Sequence, residues 1–220
     1  MTTFFFTMAP SFGIKYLISP MIASVWEANQ SIQDLASFLF LFFYAIARFL
    51  GGAFDRYIDA LFLLKILNVT AVIVHIIQGI TTIWYNSDAA LAGFIVCQVI
   101  IGSILGGVKI LLVLLSIDIF GPMNMPNGVA LLFCGAWGPA SFIGPVAGWA
   151  SLSGHGLKSG PNFKDDLSMA VAIYCYASAG SSAISFLTSF GITKFDFAQR
   201  ASRRRSIFWK KSTDAVSDDV

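Results

Sequence analysis

Two lysines stand inside long apolar stretches of this chain, where a charged side chain is costly. Lys15 lies within the first apolar stretch, and Lys109 lies in the fourth, about 18 Å from its C-terminal end at about 1.5 Å per residue. Gln98 precedes Lys109 at a spacing that puts both side chains on one helix face. These positions predict a polar cavity that receives an anion or a counter-ion. The alternative is that Lys109 pairs structurally with a backbone carbonyl or extends to the polar boundary.

The fifth apolar stretch supplies an aromatic candidate for the same cavity. Trp137, Ser141, Gly144 and Gly148 share one helix face, which favours an indole that packs against the apolar part of a bound molecule. An equally good interpretation is that Trp137 faces lipid or the core. Two Gly-Pro pairs in this stretch predict a kinked, closely packed helix.

Other residues with reactive side chains are weaker candidates. A single buried histidine such as His75 is more often a satisfied core residue than a proton relay. Cys97, Cys134 and Cys175 all fall in apolar stretches, without a CxxC pair, and are expected to be small packing residues. The sequence contains no nucleophile elbow, no HExxH metal motif and no phosphate-binding loop. We therefore expect a protein that is not an enzyme and needs no metal or cofactor.

A polar connection between the second and third apolar stretches holds a compact group of charges. Residues 45–59 include Arg48, Gly51, Asp55 and Arg56. Glycine lets the chain turn sharply and lets helices approach, and Asp55 beside Arg56 offers charges that pair across to another helix end. The simpler interpretation is that any short loop between membrane helices carries glycine and a few charges.

Composition and length place these residues in a membrane protein. Of the 220 residues, 56% are hydrophobic and 12% are charged, and the mean hydropathy is +0.75, which excludes an ordinary soluble domain. Six apolar stretches are long enough for a hydrocarbon core of about 30 Å. They lie near 3–26, 32–51, 60–84, 89–118, 128–152 and 168–192. The predicted fold class is an all-α membrane protein with a six-helix transmembrane bundle over 1–192 and a tail, basic and then acidic, over 193–220.

Prolines and basic residues add detail to this arrangement. Pro10 and Pro20 predict a first helix that is not straight and whose freed backbone carbonyls need partners. Arginine and lysine crowd at one set of helix ends and in the tail, which predicts a multi-pass protein with both termini cytoplasmic. Residues 200–212 interleave basic and aromatic side chains, which favours anionic lipid headgroups over nucleic acid as a partner.

Two segments carry a resemblance to a known family. The spacing of Arg48, Gly51, Asp55 and Arg56 resembles the loop motif between helices 2 and 3 of the major facilitator superfamily, which recurs in weaker form between helices 8 and 9. Residues 118–149 resemble the helix 10 to helix 11 region of its oxalate/formate antiporter and monocarboxylate transporter branches. The resemblance covers nearly all of residues 1–192 and makes them equivalent to helices 7–12 of that fold.

The resemblance implies secondary active transport of a small organic anion, a carboxylate or monocarboxylate, by alternating access. It makes the first and fourth apolar stretches equivalent to helices 7 and 10, which line the central cavity of that superfamily. Together with the cost of two buried lysines, this predicts that Lys15 and Lys109 bind the substrate anion, with Trp137 and Gln98 on the same cavity wall. The residues that the resemblance assigns to the gate motif, a charge latch on the cytoplasmic side, are Arg48, Gly51, Asp55 and Arg56.

A six-helix half forms only one wall of such a cavity. The expected partners are therefore a second six-helix half or a homodimer, besides the lipid bilayer and the small organic anion. The alternative is a six-helix membrane interaction protein that does not transport, or an incomplete transporter fragment. Copurification with a homologous first half would distinguish the two hypotheses.

Overall fold

The computed structural model describes residues 2–54, 59–121, 123–132 and 163–190, with isolated positions between 134 and 146. Within those ranges the chain is helical and contains no strand. We label the helices α1 to α6 in chain order: Thr2–Trp26, Gln30–Phe54, Ala60–Ile83, Asp88–Phe120, Met125–Leu132 and Phe163–Phe190.

Four of these helices are long and apolar enough to cross a membrane. They are Gln30–Ala53, Ala60–Ile83, Asp88–Ile117 and Lys164–Phe190. The described chain is therefore all-helical and has the make-up of a multi-pass membrane protein, as its composition predicted. The sixth helix begins at Phe163, slightly earlier than expected. Most of the predicted fifth span, 128–152, lies outside the described residues, so six spans and both cytoplasmic termini stay predictions.

Polar side chains in the connections define where helices begin and end. The Asp59 carboxylate accepts a hydrogen bond from the Leu61 backbone N–H at 2.8 Å, directly before α3. The Ser87 hydroxyl accepts one from the Ala90 backbone N–H at 3.1 Å and caps α4. Both residue types are favoured at this position because they satisfy N–H groups that have no helical partner. Gly121, with φ of 79°, ends α4 in a conformation that glycine adopts without strain.

Helices α2 and α4 run parallel and touch along their backbones. A Cβ atom at Gly102 would lie 2.6 Å from the Phe40 carbonyl oxygen, and one at Gly106 would collide with the Tyr44 carbonyl oxygen. Glycines four residues apart allow two membrane helices to approach this closely. Because ascending positions on α4 meet ascending positions on α2, the two helices point in the same direction.

Helices α3 and α6 run antiparallel and meet through side chains. At one end, the Tyr85 hydroxyl, just beyond α3, donates to Asp165 Oδ1 at 2.7 Å in the first turn of α6. At the other end, Lys65 Nζ lies 4.2 Å from the centroid of the Phe190 ring. The start of one helix thus lies beside the end of the other.

Helix α1 continues through Pro10, and α6 supplies a hydrogen-bond donor in place of the backbone N–H that proline lacks. A proline has no N–H to donate to the carbonyl four residues earlier, which here belongs to Phe6. Ser181 Oγ donates to that carbonyl at 2.7 Å, and the Tyr174 hydroxyl donates to the Pro10 carbonyl at 3.3 Å. The prediction that freed carbonyls find partners is confirmed here, although α1 is a single helix from Thr2 to Trp26.

Helix α4 lies at the centre of the described bundle. It packs against α1, α2, α3 and α5, and the ring of its Phe94 lies 4.8 Å from the ring of Trp26. Its fully buried large side chains are Phe94, Ile101, Leu105, Leu111 and Leu112. Within a bilayer, close van der Waals packing of such side chains holds helices together, because lipid tails are as apolar as leucine.

Candidate functional site

The ring of Tyr44 on α2 is shared by two cationic side chains. Lys109 Nζ lies 5.0 Å from the ring centroid, and Arg48 Cζ lies 5.8 Å from it. Both distances are within the roughly 6 Å at which a cation is attracted to an aromatic face. Arg48 is one turn beyond Tyr44 on the same helix, whereas Lys109 comes from α4. The parallel contact of α2 with α4 therefore builds this arrangement.

A third cation reaches the same region from α1. Lys109 is repelled by both Arg48 and Lys15, so the three charges lie within electrostatic reach of one another. Lys15, Lys109 and Tyr44 are half-buried, and Arg48 is exposed. We call Lys15, Arg48 and Lys109, together with the Tyr44 ring that Arg48 and Lys109 share, the cation cluster.

The acidic side chains of the described chain occupy different places. Those whose side-chain placement is described lie in connections or in the first two turns of helices: Glu27, Asp34, Asp59, Asp88, Asp165 and Asp166. Near the start of α6, Lys164 Nζ pairs with Glu27 Oε1 at 2.7 Å, with both side chains largely exposed.

The side chains predicted to bind substrate are brought together only in part. Lys15 and Lys109 both enter the cation cluster. Gln98 is fully buried on α4, about 16 Å from Lys109 along the helix axis, and neither of its amide atoms has a hydrogen-bond partner among the described residues. Trp137 lies outside the described residues.

The predicted gate motif is described at two of its four positions. Arg48 belongs to the cation cluster. Gly51 is buried, and a Cβ atom there would lie 2.5 Å from the Ile110 side chain, which makes it a further close contact between α2 and α4. Asp55 and Arg56 lie outside the described residues, so the charge latch stays a prediction.

Tyr44 is the site residue that sequence reasoning did not select. Two features of the sequence could have pointed to it: Tyr44 and Arg48 have the spacing of residues on one helix face, and Gly102 and Gly106 have the spacing typical of a close helix contact. The sequence does not show that this neighbour is α2. That contact places the Tyr44 ring within reach of Lys109.

The cysteines are free thiols with different surroundings. Cys97 and Cys175 are buried, as expected of small packing residues, whereas Cys134 is exposed. In the part of the chain that the structure describes, no three histidine, cysteine or acidic side chains converge in a way that would hold a metal ion.

No protein family, curated protein or solved structure matches this chain. What the site does must therefore follow from its own chemistry.

Proposed function

We propose that this chain is a six-helix half of a secondary active transporter that carries a small organic anion, a carboxylate or monocarboxylate. The observation that carries the proposal is the cation cluster. Arg48 of α2 and Lys109 of α4 share one tyrosine ring, and Lys15 of α1 lies within electrostatic reach of Lys109, all inside otherwise apolar helices. The resemblance to the major facilitator superfamily implies the same class of activity.

Gathering three positive charges in a partly buried site costs free energy. Like charges repel more strongly in a partly buried site than in water, because the effective dielectric constant is lower there. Lys109 is subject to this repulsion from two sides. A bound carboxylate turns part of that repulsion into attraction, so the cluster gains most from an anionic ligand.

The cation cluster offers two kinds of contact to such a ligand. The Arg48 guanidinium can bind a carboxylate through two parallel N–H bonds, whereas the lysine ammonium groups act as point charges. The half-buried Tyr44 ring adds an apolar surface beside them. This combination favours a small molecule with a carboxylate and a short hydrocarbon part.

The exposed surface of α2 favours a second half as the partner. Arg48 is exposed there together with large apolar side chains, including Phe49 at 82% and Phe38 at 60%. A charged side chain that faces lipid is costly unless it reaches the polar boundary or a partner covers it. A second six-helix half, or a second copy of this chain, would cover Arg48 and supply the opposite wall of the cavity.

Anion-dependent thermal stability tests the proposed site. In the purified full chain, we expect short monocarboxylates to raise the unfolding temperature of the wild type. Lys109→Gln should lose most of that rise, because it removes a charge but keeps a polar side chain of similar length. Lys65→Gln is the matched control, since Lys65 also lies over an aromatic ring within a span but outside the cation cluster.

The site would be refuted if Lys15→Gln and Lys109→Gln both kept the full anion-dependent rise. Transport itself is measured by carboxylate exchange in liposomes, together with the oligomeric state of the reconstituted chain. Saturable exchange by a demonstrated monomer would contradict the half-transporter proposal. A stable monomer that neither binds nor exchanges carboxylates would favour a membrane interaction protein.

A further inference from the structure

A row of polar side chains runs along the buried face of α3. Asn68, His75, Gln78 and Thr82 follow one another at intervals of seven, three and four residues, and all are fully buried. Intervals of three, four and seven keep side chains on one face of a helix. The row therefore points into the bundle along most of the length of α3.

Helix α6 presents a second polar row. Ser178, Ser182, Ser185 and Ser189 share one face and are also buried. Gly79 of α3 meets the Tyr176 ring. Because the two helices are antiparallel and both rise about 1.5 Å per residue, a position four residues before Gly79 lies beside a position four residues after Tyr176. His75 therefore lies level with the segment between Ser178 and Ser182. We call His75 and Gln78 of α3, with Ser178 and Ser182 of α6, the polar seam.

Some hydroxyl groups in these rows are satisfied within their own helices. Ser178 Oγ donates to the Tyr174 carbonyl at 2.8 Å, and Thr82 Oγ1 donates to the Gln78 carbonyl at 2.8 Å. Such bonds to the preceding turn are a common way to bury serine and threonine in helices. These side chains need no further donor or acceptor.

The other three side chains of the polar seam have no such hydrogen bond. Both ring nitrogens of His75, both amide atoms of Gln78 and the hydroxyl of Ser182 are buried without a hydrogen-bond partner among the described residues. The Gln78 amide lies near enough to the His75 ring for a weak interaction, but the pair does not meet the distance and angle of a hydrogen bond. Inside a bilayer each such group costs several kcal/mol unless something satisfies it.

We propose that the polar seam is a binding site for ordered water, with a small water cluster that bridges His75, Gln78 and Ser182. A neutral imidazole and a carboxamide each need a donor and an acceptor, and a hydroxyl needs at least an acceptor. Water supplies both functions and typically makes about three hydrogen bonds when buried. The four seam side chains include no carboxylate, arginine or lysine, so a neutral ligand fits the site better than an ion.

Hydroxyl-radical footprinting of the full chain in detergent tests this proposal. X-ray radiolysis of bound water oxidises adjacent side chains, so we expect labelling of the wholly buried His75 well above that of Phe94, which is equally buried in apolar surroundings. In the double variant Gln78→Met and Ser182→Ala, labelling of His75 should fall several-fold because the water loses two of its three ligands. Ser178→Ala should keep it, because the Ser178 hydroxyl already has a partner.

The unfolding temperature of Ser182→Ala provides a second test, because bound water and an unsatisfied hydroxyl predict changes in different directions. If Ser182 binds water, Ser182→Ala lowers the unfolding temperature by about 2–4 °C. If its hydroxyl is simply unsatisfied, the same change leaves that temperature unchanged or raises it. Labelling of wild-type His75 no higher than that of Phe94, or an unchanged or raised unfolding temperature in Ser182→Ala, would overturn the proposal.

Discussion

The parallel pair α2–α4 and the antiparallel pair α3–α6 are held together in opposite ways. In the first pair, Gly102 and Gly106 face backbone carbonyl oxygens of α2, which are held by the helix and cannot turn aside. In the second pair, Gly79 faces the Tyr176 ring, and the contact includes a ring, a cation and buried polar groups. The distance between α2 and α4 is therefore set by backbone atoms. Between α3 and α6, side chains can change rotamer while the helices stay in place.

This difference in contact corresponds to the site that lies at each helix pair. The cation cluster depends on the distance between Tyr44 on α2 and Lys109 on α4, so it gains from a contact that is fixed by backbone atoms. The polar seam holds groups that need a small ligand to satisfy them, and it lies where side chains mediate the contact. The bundle thus separates a rigid site for charge from an adaptable site for neutral polar groups.

The largest effect is expected from added side chains in the rigid pair. Gly102→Ala and Gly106→Ala each place a Cβ atom against a carbonyl oxygen of α2, and overpacking of this kind costs about 1–3 kcal/mol. Because the helices must separate, we also expect loss of the anion-dependent rise in unfolding temperature. Thermal unfolding with and without a monocarboxylate measures both effects.

The matched control for these variants lies in the same helix pair. Gly52 on α2 has no atom within 4 Å of the position of an added Cβ, so Gly52→Ala should stabilise by about 0.5–1 kcal/mol through helix propensity. Equal destabilisation by all three alanines would show that the α2–α4 backbones do not touch as described.

A smaller effect is expected from the same substitution in the adaptable pair. An alanine at Gly79 would place its Cβ 2.7 Å from the Tyr176 ring, but that ring is 39% exposed and can turn away. The cost of displacing the ring is partly offset by helix propensity, which leaves a net loss below about 1 kcal/mol. Gly180→Ala, in open space on α6, is the control. A loss as large as that of Gly102→Ala would contradict the proposed difference between the pairs.

The smallest effect concerns the solvent-exposed end of α3–α6 and depends on pH. The hydrogen bond to Asp165 raises the pKa of the Tyr85 hydroxyl above its ordinary value of 10.0, because ionised tyrosine loses its donor and faces a carboxylate. Because the Tyr85 hydroxyl has a higher pKa in the folded state than in the unfolded state, its hydrogen bond stabilises the folded state fully below pH 10.0. This contribution to stability disappears as the pH rises through the raised pKa. Unfolding temperatures below and above that pH should show this loss in the wild type.

Tyr85→Phe is the control for the pH effect. It removes the hydrogen bond and should remove this part of the pH dependence while leaving the α2–α4 pair intact. An identical alkaline loss in wild type and Tyr85→Phe would assign the effect to other groups.

Helix positions were predictable because apolar length and polar connections set them directly. Asp59 and Ser87 are residue types that start helices, and both do so here. The approach of Lys15 to Lys109 was also predictable, since charges in apolar helices gather away from lipid. The pairing of α2 with α4 was not, because a single sequence records which residues are small but not which helix they meet.

The interpretation of His75 shows the same limit. Its burial followed from its place in an apolar stretch, and it is fully buried. Neither ring nitrogen has a hydrogen-bond partner among the described residues, so the expectation that His75 is a satisfied core residue stays a prediction. Hydrogen bonding depends on the rotation of α3 relative to α6, which periodicity alone does not specify.

The bond from Ser181 to the Phe6 carbonyl has a consequence for how the protein is made. Its two partners are 175 positions apart, so a ribosome working at roughly 5–20 residues per second completes α6 about 9–35 s after α1 emerges. During that interval the carbonyl freed by Pro10 lacks the group that later satisfies it. Helix α1 therefore enters the membrane before this hydrogen bond can form. Ser181→Ala should leave the insertion of α1 unchanged and reduce the yield of folded protein after α6 is complete.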